Sequence, residues 1–394
     1  MRVLYVQYTN PGAYPPLVRG AQLLAEAGAS VLMLGTRIAG LDALDVKPSE
    51  AIDVRLLPPA TDGWRLKAHY ARYVAWVARE GAAWRPDWIY ASDVLAAPVA
   101  LALASITRAR LVYHEHDAPS PEHASWAIKR CLAARRRVVR RADLVLTPNA
   151  ERSAALSRTV GGGRPVLTVW NCPRRPARDT SERRPSDTLR VVFRGSINPD
   201  RLPMSVIHAL ARVHGDVTLD VASYETAGSR GYVAELQSLA QRLGIDSRVR
   251  SLGTVPEREL AAVCEASDIG LALMPAESRD ENMRHMTGAS NKVFEYLVYG
   301  VVPLVSGLAD WRAEFVDPGV ALACDPRDAE SIATALAWAA THRGELCAIA
   351  ARGRQRLLAD WNYETQFAPV LRALSGSGET EPSGTLHAEA RCAS

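Results

Sequence analysis

The sequence predicts an α/β protein of two Rossmann-like domains facing a central cleft, and three observations predict it. The chain has 394 residues, 48% of them hydrophobic, which is enough for two cores of ordinary size. Short β-rich runs alternate with longer helical stretches along most of the chain. Strands apolar on both faces and joined by helices indicate a parallel sheet covered on both sides. The alternation is interrupted once, by the Pro-, Arg- and Ser-rich run at 171–187 (NCPRRPARDTSERRPSD), which has no apolar periodicity and reads as a linker.

The elements follow in order. In the first half the strands are expected at 3–8, 31–34, 54–57, 88–91, 111–114, 144–147 and 166–170. Helices are expected between them at 16–27, 66–83, 95–105, 123–141 and 150–156. After the linker the strands fall at 189–193, 217–221, 249–252, 269–274, 302–305 and 320–323, with helices at 204–213, 232–243, 257–266, 291–299, 328–342 and 344–358. The domain plan is therefore 1–171, a linker at 172–188, a second domain at 189–360, a C-terminal helix at 361–374 that crosses back to the first domain, and a polar Gly/Ser-rich tail at 375–394 read as disordered. In such sheets ligands bind beyond the carboxyl ends of the strands, so the loops after strands are where function is sought.

Composition narrows the classes. Charged residues make up 23% of the chain and the formal net charge is +4, a weak case for nucleic acid as partner. The six cysteines are far apart, with no CxxC pair, so they read as reduced thiols of a cytoplasmic protein. Residues 1–16 read as a strand and loop rather than a leader, and no apolar window is long enough to span a membrane. The loop after the first strand (TNPGAYPP) lacks Gly-x-Gly-x-x-Gly, and Gly161-Gly162-Gly163 is followed by Arg-Pro rather than a P-loop lysine. Of 47 basic residues only four are Lys: Lys47, Lys67, Lys129 and Lys292.

The segment 274–306 (MPAESRDENMRHMTGASNKVFEYLVYGVVPLVS) is the richest in chemistry. A turn Gly288-Ala289-Ser290-Asn291 leads into a helix, and its free N–H groups at the positive end of the dipole suit a phosphate. Lys292 opposes that dipole, a cost that a bound anion relieves. Glu295 lies one turn on, about the same face, where a carboxylate takes two ribose hydroxyls. A capped surface helix with a local ion pair is the plain alternative.

The run 291–305 (NKVFEYLVYGVVPLV) resembles the nucleotide-sugar signature of the GT-B glycosyltransferases, specifically the large retaining family 4. VRSLGTVPEREL (249–260), ASDIGLALMP (266–275), FRGSINPDRLP (193–203) and DLVLTP (143–148) resemble further family segments. The resemblance covers about residues 1–372, strongly in the second domain and weakly in the first. It implies a donor site in which Glu295 binds ribose hydroxyls, Gly195 lies near the diphosphate, Arg201 stands where the family usually has Lys, and the backbone of Gly288 faces sugar and phosphates. Lys292, Ser290 and Asn291 complete the phosphate end. An earlier family Glu is replaced by Thr287, whose hydroxyl can bond the sugar; Glu281 is the other source of a carboxylate.

Three further places carry candidates. Tyr113-His114-Glu115-His116-Asp117 follows a strand; His116 and Asp117 are expected to orient the acceptor hydroxyl or stabilise leaving-phosphate charge, with Asp93 similarly placed. His-x-His-Asp also suits a metal, but no further His pair lies at helpful spacing and none is expected. Gly12 offers backbone contact in the first loop, with a plain turn as the alternative, and Tyr224, in a loop that the resemblance places near the base, offers a stacking surface or simple packing. The basic stretch 129–141 (KRCLAARRRVVRR) reads as a solvated helix face, or as a peripheral contact with anionic lipid at the inner membrane face.

The function expected is therefore transfer of a glycosyl group from a nucleotide-diphosphate sugar to an acceptor hydroxyl or other heteroatom, with retention and no cofactor beyond the nucleotide sugar. His116, Asp117 and Lys292 are the catalytic candidates. A sugar-nucleotide epimerase on the same fold and a non-catalytic nucleotide-sugar-binding partner are the alternatives.

Overall fold

The computed structural model of the chain describes residues 1–39, 45–59, 64–117, 125–161, 166–176, 188–278 and 280–376. It divides into two compact units, Met1–Val169 with the chain from Gln366 onward, and Trp170–Thr365. Most of the linker and nearly all of the tail lie outside the described residues, as do 162–163 of the glycine triplet, 123–124 of the predicted basic helix and Arg279.

The first unit holds a seven-stranded parallel sheet. Its strands are β1 (Arg2–Val6), β2 (Ser30–Thr36), β3 (Ile52–Leu57), β4 (Trp88–Ser92), β5 (Arg110–His114), β6 (Leu144–Thr147) and β7 (Val166–Thr168). They pair in the order β3-β2-β1-β4-β5-β6-β7. β1 and β4 are buried almost throughout, as expected of central strands covered by helices on both faces. Strand order reverses between β1 and β4, so the carboxyl ends there form a switch-point crevice. Ser92 and His114 are register partners at that edge.

The second unit holds a six-stranded parallel sheet. Its strands are β8 (Leu189–Ile197), β9 (Val217–Glu225), β10 (Val249–Ser251), β11 (Ile269–Ala272), β12 (Val302–Ser306) and β13 (Leu322–Cys324), in the order β10-β9-β8-β11-β12-β13. Its reversal falls between β8 and β11. Gly195 pairs with Ser223 and Ser196 with Tyr224 near the carboxyl end of the β8–β9 ladder.

Several expectations change. β9 runs four residues past 221 because β8 pairs with it as far as Ile197 and Glu225, so Tyr224 sits in a strand rather than a loop. The strand expected at 166–170 stops at Thr168, and the Trp170 ring packs against Phe294 and Trp361 of the second unit. The helix expected to end at 156 runs to Val160, where Gly161 in the left-handed region ends it. The loop after β11 contains a short helix, Glu281–Arg284, started by Asp280 accepting from Asn282 N–H. The final helix, Tyr363–Ser375, begins in the second unit and continues into the first. There Phe367 is fully buried, and its ring lies close to where a side chain on Gly20 would start.

Candidate functional site

The second unit builds its site on the helix Asn291–Val298. Gly288 at φ 72° supports the preceding turn, and Ser290 caps the helix, its hydroxyl accepting from Lys292 N–H at 3.4 Å. Val293, Phe294, Tyr296 and Leu297 are buried, a helical stripe that turns Lys292 and Glu295 to the remaining side. The stripe seats on β11 because Gly270 has no side chain: a Cβ there would stand 2.4 Å from the Tyr296 ring. The Tyr296 hydroxyl donates to Leu271 O at 3.1 Å.

That placement brings Lys292 to the end of β8. Its ammonium donates to Arg194 O at 2.5 Å and lies 5.0 Å from the Phe193 ring centre. Gly195 takes φ 96°, which favours glycine, and a Cβ there would come within 2.9 Å of the ammonium and displace it. Glu295 pairs with Arg194 at 2.9 Å, with both side chains mostly buried. Arg201 donates to Ser196 Oγ at 2.5 Å, and its backbone N–H to Asn198 Oδ1 at 3.0 Å. Lys292, Arg194 and Arg201 thus gather around Gly195 with Glu295 as counter-charge. Burial lowers the Lys292 pKa to about 7, aided by Arg201 and Arg194 and opposed by Glu295. Arg201 Nε, Asn291 Oδ1 and Ser223 Oγ are buried without a hydrogen-bond partner, a cost that a polar ligand would remove.

Other candidates take definite places. Thr287 donates to Asp310 Oδ2 at 2.6 Å, so the hydroxyl at the position of the earlier family Glu already has a protein acceptor. Gly288 is also a packing residue: a Cβ would meet the Trp170 indole at 2.7 Å, and its carbonyl accepts from Asn171 N–H at 2.8 Å. The Tyr224 ring is 43% exposed at the end of β9, open to a stacking partner. Glu281 begins the short helix, and its side chain lies outside the described residues. Arg194 has no local marker among the arginines of the chain. Its one sequence signal is its place beside Gly195 at a strand end.

In the first unit the loop after β5 is held by buried polar bonds. Arg135 grips Glu115 bidentately, at 2.5 Å from Nε and 2.6 Å from Nη2, and Tyr113 donates to the same carboxylate at 2.8 Å. Arg135 is thereby withdrawn from the basic helix face to which the sequence assigns it. The His114 ring bonds the Tyr90 hydroxyl at 2.6 Å and lies tilted against His116, with ring centres 3.8 Å apart. His116 is 5% exposed with neither ring nitrogen partnered. Burial, then Arg152, lowers its pKa to about 3, so the imidazole is neutral at physiological pH. Asp117 is largely exposed, 3.6 Å from Arg152. Asp93 Oδ1 accepts from His116 N–H at 2.8 Å and from Asp117 N–H at 3.4 Å. Gly12 donates its N–H to Asn10 Oδ1 at 2.9 Å, inside a short 3-10 turn, so that donor is already used. Among the described residues no three His, Cys, Asp or Glu side chains are grouped to hold a metal.

Comparison with known proteins agrees across both units. Residues 17–173 match a glycosyl transferase 4-like domain and residues 206–372 a glycosyl transferase-like domain. The chain is 24% identical to a glycogen synthase of Mycobacterium tuberculosis, over 98% of each chain. It is 26% identical to a GDP-mannose-dependent alpha-(1-6)-phosphatidylinositol monomannoside mannosyltransferase of the same organism, over 92% of this chain and 89% of the relative. Among solved structures, Anabaena HepE in complex with UDP-glucose superposes with a TM-score of 0.71 at 21% identity, covering 95% of this chain and all of that one.

Proposed function

The chain belongs to the family 4-like glycosyltransferases of the GT-B fold and uses nucleotide-sugar donors, and from that premise we propose that it transfers a hexosyl group with retention to an acceptor hydroxyl. The observation that carries the site assignment is the cluster of Lys292, Arg201 and Arg194 around Gly195, faced by one carboxylate. Such a surplus of partly buried positive charge suits a diphosphate. Lys292, Arg201 and the N–H of Asn291, the Ser290 N–H being held by Met286 O at 2.8 Å, meet the charge that grows on the departing diphosphate, which stabilises the transition state without a covalent nucleophile. No cofactor beyond the nucleotide sugar enters this reading. The anomeric C–O bond to the diphosphate breaks, the acceptor oxygen bonds the same face, and its proton leaves with the diphosphate. Glu295, oriented by Arg194, receives the ribose hydroxyls, Gly288 lines the sugar, and Tyr224 stacks on the base. His116 and Asp117 orient the acceptor. Nothing in the family matches favours the epimerase or the non-catalytic partner.

The test is calorimetry with a panel of nucleotide sugars that includes UDP-glucose and GDP-mannose. Glu295→Ala and Lys292→Ala each remove a charged hydrogen bond, so each is expected to weaken the one tight donor by about 10- to 100-fold. Donor affinity unchanged in both variants refutes the assignment. The anomeric configuration of the product, read by NMR, decides retention.

Peripheral membrane contact is a second reading, favoured by the helix Trp126–Arg141. It carries no acid, and Lys129, Arg130, Arg136 and Arg137 are exposed. Trp126 is 70% exposed with Arg130 stacked 4.1 Å over its ring. Aromatic and basic side chains together suit an anionic lipid surface, at about 1 kcal/mol per basic residue. Sedimentation with phosphatidylglycerol vesicles should bring down the wild type, and reversing those four charges should abolish it. Equal binding to phosphatidylcholine, or none to either, removes this reading.

A further inference from the structure

We propose that Asp93 is a positioning residue for the transfer reaction, fixing the loop that presents His116 and Asp117 to the acceptor hydroxyl. The inference rests on the reading of the first unit as the acceptor side.

The backbone points to Asp93 first. Three non-glycine residues among those described have positive φ: Arg85, Asp93 and Arg108. Arg85 follows the helix Trp64–Trp84 and Arg108 is the C-cap of the helix Asp93–Thr107, places where the left-handed region is ordinary. Asp93, at φ 62°, opens a helix instead. That conformation costs an L-residue about 1 kcal/mol or more, and Asp and Asn tolerate it best.

The side chain shows what the strain supports. Ser92, the N-cap, makes no capping bond and its hydroxyl is unpartnered. The Asp93 carboxylate reaches instead from the end of β4 to the loop after the neighbouring β5 and accepts the N–H groups of His116 and Asp117. Arg152 holds the other side of that loop, donating to His116 O and lying 3.6 Å from Asp117. The His116 ring sits between His114, at 3.8 Å, and Tyr14, at 5.5 Å. Its two ring nitrogens are buried without a hydrogen-bond partner, a cost that a hydroxyl reaching them would remove. The groups that act on Asp93 are Tyr14, Tyr113, Glu115, His116 and Asp117. Burial, then Asp117, raises its pKa to about 8. An amide oxygen at this place can accept the same two N–H groups.

Two variants separate positioning from folding. Asp93→Gly takes the left-handed backbone without strain but removes the tether. Asp93→Asn keeps an acceptor oxygen and tolerates the same φ. Three readouts are taken: kcat and acceptor KM at saturating donor, donor Kd by calorimetry, and imidazole NMR of the histidines. Asp93→Gly should lower transfer at least tenfold with donor Kd unchanged and the His116 resonances shifted. Asp93→Asn should stay within about threefold of wild type with wild-type resonances. Transfer and resonances unchanged in Asp93→Gly overturn the proposal. So does Asp93→Asn as impaired as Asp93→Gly, which would make the charge the requirement. Loss of donor affinity in Asp93→Gly overturns it as well, because the defect would then be general. Should the wild type transfer to no acceptor, the functional reading fails by itself, and the resonances still decide whether Asp93 positions His116.

Discussion

At neutral pH the Lys292 ammonium stands near the midpoint of its titration, with a pKa of about 7, because burial and the neighbouring Arg201 and Arg194 outweigh Glu295. The folded value lies below the unfolded one of about 10.5. The cost to stability is therefore full below pH 7 and fades as pH rises towards 10.5. A diphosphate reverses the balance by favouring the charged form. Donor binding at pH 7.5–8 should take up a fraction of a proton, seen as a dependence of binding heat on the ionisation heat of the buffer. Near pH 5, where Lys292 is already protonated, its contribution vanishes. Lys292→Met should abolish the uptake at pH 8; uptake unchanged in that variant would place the titrating group elsewhere. Sequence marks Lys292, a rare lysine at a helix start, but not its proton affinity, which depends on two arginines from β8 and the loop beyond it.

The helix Asn291–Val298 is legible nearly to its ends, since the Gly-Ala-Ser-Asn turn and the apolar stripe are both local. Its seat is not. The helix approaches β11 only because Gly270 leaves room for the Tyr296 ring. Gly270→Ala forces a rigid aromatic ring and its helix outward. Overpacking of this kind costs about 1–3 kcal/mol, and the shift moves Lys292 and Glu295 away from Arg194. A lower Tm together with weaker donor binding is expected; a lower Tm with donor Kd unchanged would show that the helix absorbs the change without moving the site. The tethers of the 115–117 loop behave likewise. The Glu115 partner Arg135 reads as one more charge on a basic face until the fold turns it inward.

At the scale of the whole molecule, each sheet reverses strand order once, and the candidate residues gather at those reversals: Asp93 and His116 beyond β4 and β5, Gly195 and Lys292 beside β8. Alternating apolar strands and helices announced both sheets, because strands buried on two faces have a composition that needs no partner to be read. The break near 171 was equally plain. The path of the last helix into the first unit is carried by Phe367, Val370 and Leu374, apolar residues in an ordinary amphipathic stripe. Local chemistry thus determined what could be written within a few residues of itself: the α/β alternation, the Ser290 cap, and the phosphate-suited turn with Lys292 and Glu295. Tertiary structure decided the pairings that give those residues their electrostatics. Arg194 with Glu295, Thr287 with Asp310, Asp93 with the 116–117 loop and Arg135 with Glu115 join groups separated in the chain, and the Lys292 ammonium reaches the Arg194 carbonyl across 98 residues. The physical reason is that a charge carries no record in the sequence of which opposite charge the fold will set beside it.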